Sequence, residues 1–237
     1  VGSDVVQQLL LGVGSSVITG GAVWMGQRMR STARTRSVRR FLGLAGRWHG
    51  RCRIVVGRHP ALPRSIHQYD VAAMLEVGSL VRGAGAEPEV LAVEEASSMP
   101  DAVEFCISGP TANSRTAAHL QRFLPGIRML PFVRGDASSL ALIATGDAEY
   151  RREPGRAEYV ALARICRPDR PHLFLIVGQT GITNRAGARF LTVSLPALRR
   201  RFGDDRSFCL VLRVVEPDTY GHFEVEEAGD LTAQVAN

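Results

Sequence analysis

Three short apolar runs decide the fold: RIVVG at 53–57, EVLAVE at 89–94 and VEFCIS at 103–108. They show little alternation, the pattern of strands buried on both faces. Helical patterns separate and follow them. One covers 69–83, with apolar Val71, Leu75, Leu80 and Val81, and stops at Gly83 and Gly85. The other covers 114–124 and leads to RMLPFV at 128–133. A β-α-β-α-β order over 53–133 predicts a mostly parallel sheet with helices on its faces.

Working outward toward the C-terminus, residues 138–170 break this rhythm. LALIATG, AEYRRE and YVALARIC are set around Gly146-Asp147 and Glu153-Pro154-Gly155. Such turn signals predict a β-hairpin or small meander inserted in the sheet domain. The α/β pattern resumes with LFLIVG at 173–178, a helix over 185–201 and FCLVLRVV at 208–215; HFEVEE at 222–227 reads as an edge strand. Pro196 is expected to kink or divide its helix. The predicted fold class is therefore α/β, a Rossmann-like, doubly wound sheet with a hairpin insertion.

Toward the N-terminus the composition changes. The chain has 237 residues, 29 basic and 23 acidic, and every basic residue is arginine. Nine of the arginines and a single acid, Asp4, fall in residues 1–53, so this end carries +8 and the remainder −2. A generally basic, nucleic-acid-binding domain is thereby excluded. Residues 5–27 hold no charge and, as a helix, would span about 34 Å, enough for a hydrocarbon core of about 30 Å. Six arginines follow within 28–40. The positive-inside rule then predicts a single-pass membrane protein with its N-terminus outside and its main domain cytoplasmic. The expected organisation is a transmembrane helix over 1–27, an Arg-rich juxtamembrane linker over 28–50 and an α/β domain over 51–237. Gly12, Ser16 and Gly20 recur every four residues and would give a smooth face for pairing with a second copy.

Cys52, Cys106, Cys166 and Cys209 have neither CxxC nor metal spacing, so they read as reduced thiols and no metal site is expected. Polar groups concentrate in three loops that follow strands. The first runs from Arg58 and His59 to His67 and Asp70. The second is SGPTANSR, 108–115; the third is GQTGITNRAG, 178–187. The second and third share a plan of Gly, hydroxyls, Asn and then Arg at a helix start. Asn113 and Asn184 are good helix caps. Backbone N–H groups at a helix start favour an anion, and an arginine there adds bidentate binding. A candidate ligand site follows: Asn113, Ser114, Arg115, Thr180, Asn184 and Arg185, with Arg58 and Glu94 nearby. Ordinary capping with solvated arginines explains either loop taken alone. His59 and His67 are candidate acid–base groups, and Asp70 suits a helix start through the dipole alone. No Walker lysine, GxGxxG, GxSxG or HExxH is present.

An apolar span, a basic juxtamembrane stretch and a compact α/β domain carrying SGPTANSR and GQTGITNRAG resemble, in layout, membrane-anchored bacterial sensors and effectors with TIR-like or SLOG-like Rossmannoid domains. The resemblance implies an anionic, nucleotide-like ligand. It assigns no catalytic residue and no cofactor. Two alternatives stand beside it: a nucleotide or N-glycoside hydrolase using Glu94 or Glu95, and a non-catalytic interaction or scaffold module.

Overall fold

The computed structural model describes residues 32–45, 50–59, 65–96, 101–131, 148–167 and 169–236, together with 62, 133, 135, 136, 139 and the backbone of 141–143. The expected transmembrane helix and its Gly12, Ser16 and Gly20 face lie outside the described residues, as does the start of the linker. Among the described residues, no helix is long and apolar enough to cross a membrane. Residues 39–237 form one compact unit, and residues 1–38 fall in another.

Residues 32–41 are helical (α1). The elements that follow are β1 Arg51–Val56, α2 Gln68–Gly83, β2 Glu87–Ala92, β3 Val103–Ile107, α3 Ser114–Phe123 and β4 Arg128–Leu130. Next come β5 Ala141–Ile143, β6 Glu149–Arg151, β7 Ala157–Ile165, β8 Leu173–Gly178 and α4 Gly181–Phe202. The chain closes with β9 Phe208–Val215, α5 Pro217–Tyr220 and β10 Val225–Asp230. The main sheet has seven strands in the order β10-β9-β7-β8-β3-β1-β2. Strands β2, β1, β3 and β8 run parallel to one another. Strand β7 is antiparallel to both β8 and β9, and β10 is antiparallel to β9.

The fold is thus α/β, but the sheet is mixed rather than mostly parallel. Two readings of the sequence account for the difference. YVALARIC, assigned to the insertion, is β7, buried between β8 and β9. RMLPFV, assigned to the parallel sheet, contributes β4 to a separate antiparallel sheet, β4-β5-β6. The expected meander therefore exists, shifted to 128–151. HFEVEE does supply an edge strand, β10, although it starts at Val225.

Alternation along the strands sends side chains to two layers. One face carries Val55, Cys106, Ala161, Ala163, Leu175, Val177 and Val211 beneath Leu120, Phe123 and Leu124 of the α3 segment. The opposite face is covered by α2 and α4, which also pack on each other. Helix α2 turns Asp70, Ala73, Val77, Gly78 and Val81 inward. Leu75, expected on the apolar face, is 60% exposed. Small residues win that face because α2 must come close to both the sheet and α4. Helix α4 is not divided by Pro196; that residue sits on its exposed side, where water can take the carbonyl that loses its partner.

At the opposite end from the strand–helix loops, Arg164 of β7 is fully buried. Its guanidinium donates to the carbonyls of Phe41 (3.1 Å), Gly203 (3.0 Å) and Arg206 (2.5 and 3.2 Å). It also lies 4.1 Å from the ring of Phe41 and 5.3 Å from that of Phe208. One side chain thereby ties the end of α1, the end of α4 and the approach to β9 onto the sheet. Phe41, Leu42 and Leu44 are buried with it, so the core takes in residues ahead of β1.

Candidate functional site

The chain leaves β1 for β2 on one side and β3 then builds on the other, so the loops after β1 and β3 diverge. A crevice at such a switch point, beyond the carboxyl ends of parallel strands, is where sheets of this kind bind ligands. Helices α2, α3 and α4 all start at this edge.

Asp70, in the first turn of α2, is the centre of a buried network. It is 6% exposed. Its Oδ2 accepts from the Ser108 hydroxyl (2.9 Å) and its Oδ1 from the Asn184 amide (2.7 Å). The Oδ1 of Asn184 in turn accepts the Gly178 N–H (2.7 Å). Three sequence-distant loops are thus joined by one carboxylate. Burial raises the Asp70 pKa; the hydrogen bonds from Asn184 and Ser108, and the neighbouring His67 and His59, oppose that rise. Ser108 has φ 94°, a backbone region that favours glycine. Its N–H is held by the carbonyl of Ile176, which fixes that conformation.

Two imidazoles flank the network. The rings of His59 and His67 stack with centroids 5.7 Å apart. His67 is also the N-cap of α2: its Nδ1 accepts the Tyr69 N–H at 3.3 Å. The ring lies directly over Gly181, where an added Cβ would stand 2.4 Å from Nδ1. Glycine at 181 is what lets the starts of α2 and α4 approach.

The residues proposed from the sequence are placed as follows. The two loops do lie side by side, because β3 and β8 are neighbours. Asn113 caps α3, with Oδ1 accepting from the N–H groups of Arg115 and Thr116. Its amide is also spent, donating to the carbonyls of Val55 and Ile107. Ser114 opens α3 and is exposed. Arg115 turns back along the sheet to Glu104, which it holds through Nε and Nη2 at 2.6 Å each. Arg58 pairs with Glu94 across the ends of β1 and β2 at 3.0 Å, and Glu94 is 58% exposed there. A backbone hydrogen bond at Glu94, and then Arg58, hold the Glu94 carboxyl below its ordinary range. Glu95 is exposed. Asn184 is not a cap: Thr180 and Thr183 form the capping box of α4 one turn earlier. The Thr180 hydroxyl also donates to buried Glu158, which Arg152 pairs at 2.6 Å. Arg185 lies beside His222, after α5.

Glu104 brings a second cluster into view, one that the sequence reading missed. Its Oε1 is 2.8 Å from His119 Nε2 and accepts from Cys106 Sγ at 3.2 Å. Ligand atoms of the three residues all lie within 4.8 Å of one another, close enough to surround a cation. Yet both Glu104 oxygens already accept from Arg115. A divalent cation would meet that guanidinium at close range, where the repulsion reaches several kcal/mol. Burial alone would raise the Glu104 pKa. The hydrogen bonds from His119 and Arg115, with the charge of Arg115, outweigh it and hold the carboxyl far below its usual range. Burial pushes the Cys106 thiol upward instead. The cluster works as an ion pair that anchors α3. Its signal in the sequence was an isolated Glu inside VEFCI, a charge that needs a partner. The four cysteines are free thiols. Burial pushes Cys52 and Cys209 up to about 12 and Cys166 to about 11.

Comparison of the chain with family models, curated proteins and solved structures returns no match.

Proposed function

We propose that the crevice at the carboxyl ends of β1, β3 and β8 binds a small anionic, nucleotide-like ligand, and that the chain is a membrane-tethered sensor or effector built on a Rossmann-like domain. The observation that carries the reading is the buried Asp70 network beneath the stacked His59 and His67 rings. A carboxylate held by one donor on each oxygen keeps lone pairs for a ligand hydroxyl. Imidazole N–H groups and helix starts suit the anionic part of the same molecule. The strand order 2-1-3-8 supports the Rossmann-like assignment, since it sets a switch point between β1 and β3. A hydrolase using Glu94 or Glu95 draws less support: both are exposed, and Glu94 is ion-paired with Arg58, which makes it a weak proton donor.

The test is a thermal-shift series of the full chain with nucleoside mono-, di- and triphosphates. At about a hundredfold excess over Kd, a bound ligand is expected to raise Tm by roughly 5–10 °C. The shift should vanish in His59→Ala/His67→Ala and persist in Glu94→Gln. No shift with any nucleotide, or an equal shift in the double histidine variant, overturns the assignment.

The tether is the reading that the uncharged 5–27 stretch and the arginines after it support. Removing residues 1–27 should move the protein from the membrane pellet to the supernatant on cell fractionation. Full-length protein that already sediments with neither membranes nor detergent micelles rules the tether out.

A further inference from the structure

Helix α4 carries arginines of two kinds. Near its end, Arg199 holds Asp204, and Arg201 holds Glu227 and Asp230. Near its start, Arg185 and Arg189 lie one turn apart, and among the described residues neither pairs with an acid. Both adjoin the turn after α5. The Arg189 guanidinium is 4.9 Å from the ring of Phe223, and the His222 ring is 4.1 Å from that same ring.

Two polar atoms here are buried and lack a partner: Nε2 of His222 and Nε of Arg185. His222 is only 5% exposed. Leaving such a group unsatisfied is destabilising, and native proteins keep few of them. Here two occur together, and the charges that act on His222 from α4 are both positive. Burial, then Arg185 and Arg189, lower the basicity of its ring. Arg185 and Arg189 are half-buried, and a water molecule could satisfy the hydrogen bonds without offsetting their charge. An anionic oxygen group does both.

We propose that Arg185, Arg189 and His222 form a binding site for a phosphate group beside Phe223. Donors on three side chains suit an anion with three terminal oxygens, whereas a carboxylate offers two. The site does not depend on the crevice reading, since none of these side chains belongs to the Asp70 network. The phosphate is either inorganic or the terminus of a small metabolite, and the protein's contacts are the same for both.

The experiment uses the full chain labelled with 13C at its histidine rings, His222 being assigned with His222→Gln. Inorganic phosphate is titrated at pH 7 against sodium acetate and sodium chloride at matched ionic strength. The His222 signal is expected to shift saturably with phosphate alone. Kd should weaken by about tenfold or more in Arg185→Gln and in Arg189→Gln, as expected for losing one charge-assisted contact. Arg189→Lys should retain part of the binding. A shift that does not saturate, or that is unchanged in both glutamine variants, means an adventitious ion only and overturns the site. An equal response to acetate overturns the phosphate assignment. Shifts at His59 and His67 without one at His222 would support the crevice while overturning this second site. Glucose 6-phosphate as a further titrant separates the sources: tighter binding than inorganic phosphate assigns a phosphate monoester, and weaker binding assigns the free ion.

Discussion

Replacing Arg164 by methionine is expected to cost about 4 kcal/mol of stability, on the order of 10 °C in Tm. Methionine nearly keeps the volume between Phe41 and Phe208, so the loss isolates the guanidinium. That group satisfies three backbone carbonyls at the ends of α1 and α4 and before β9. Without it, the buried carbonyl of Phe41 and the part-buried carbonyls of Gly203 and Arg206 lose their donor at once. Burial pulls the Arg164 pKa down, with Asp204 and Asp205 nearby to oppose the fall. Arg164→Lys should recover less than half of the loss, because an ammonium cannot reach three carbonyls from one point. Urea denaturation followed by circular dichroism measures both variants. A cost below about 1 kcal/mol for methionine would mean that water replaces the guanidinium, and that residues 39–45 are held by apolar contact alone.

Asn113→Ala is expected to cost about 3 kcal/mol, well above the ~1 kcal/mol of an ordinary cap. The side chain is fully buried and uses its acceptor on two N–H groups and its donors on two carbonyls. Asn113→Asp separates these roles. Aspartate caps as well as asparagine at a solvated helix start. Here its carboxylate would face the carbonyls of Val55 and Ile107, so the variant should be no more stable than Asn113→Ala. If Asn113→Asp matches the parent chain in urea unfolding without ligand, the amide donors contribute nothing and Asn113 becomes available to a ligand.

The contrast between Asn113 and Asn184 shows what local pattern can deliver. Asn113 follows a strand and a proline turn and precedes a helix start, so its cap was legible. Asn184 also follows a strand and a glycine, but Thr180 and Thr183 offer an earlier capping box, and the helix begins there. Strands β1, β3, β8 and β9 were legible because burial on both faces leaves long apolar runs. Strand β7 has such a run too. The turn signals before it suggested a hairpin, and nothing local reveals that it lies between β8 and β9. The site shows the same division. The three loops could be read from strand–helix boundaries. The destinations of Arg58 and Arg115 could not, because Glu94 and Glu104 become their partners only through lateral strand order and helix placement. Ser108 gave no signal at all: its positive φ is imposed by the backbone around it.

The strand order also divides the sheet by chain history. Everything on one side of the β3–β8 pairing comes from residues 51–107, and everything on the other from 157–230. The sheet is two sequence-contiguous halves closed along a single seam. Asp70 and Ser108 belong to the first half and Asn184 to the second. The buried carboxylate therefore works as a latch: its full set of donors exists only after the halves have met. A chain stalled before closure would present a charged, half-solvated Asp70 and a bare β3 edge. Such an edge is open to mispairing, so whatever strengthens the latch shortens that exposure during folding.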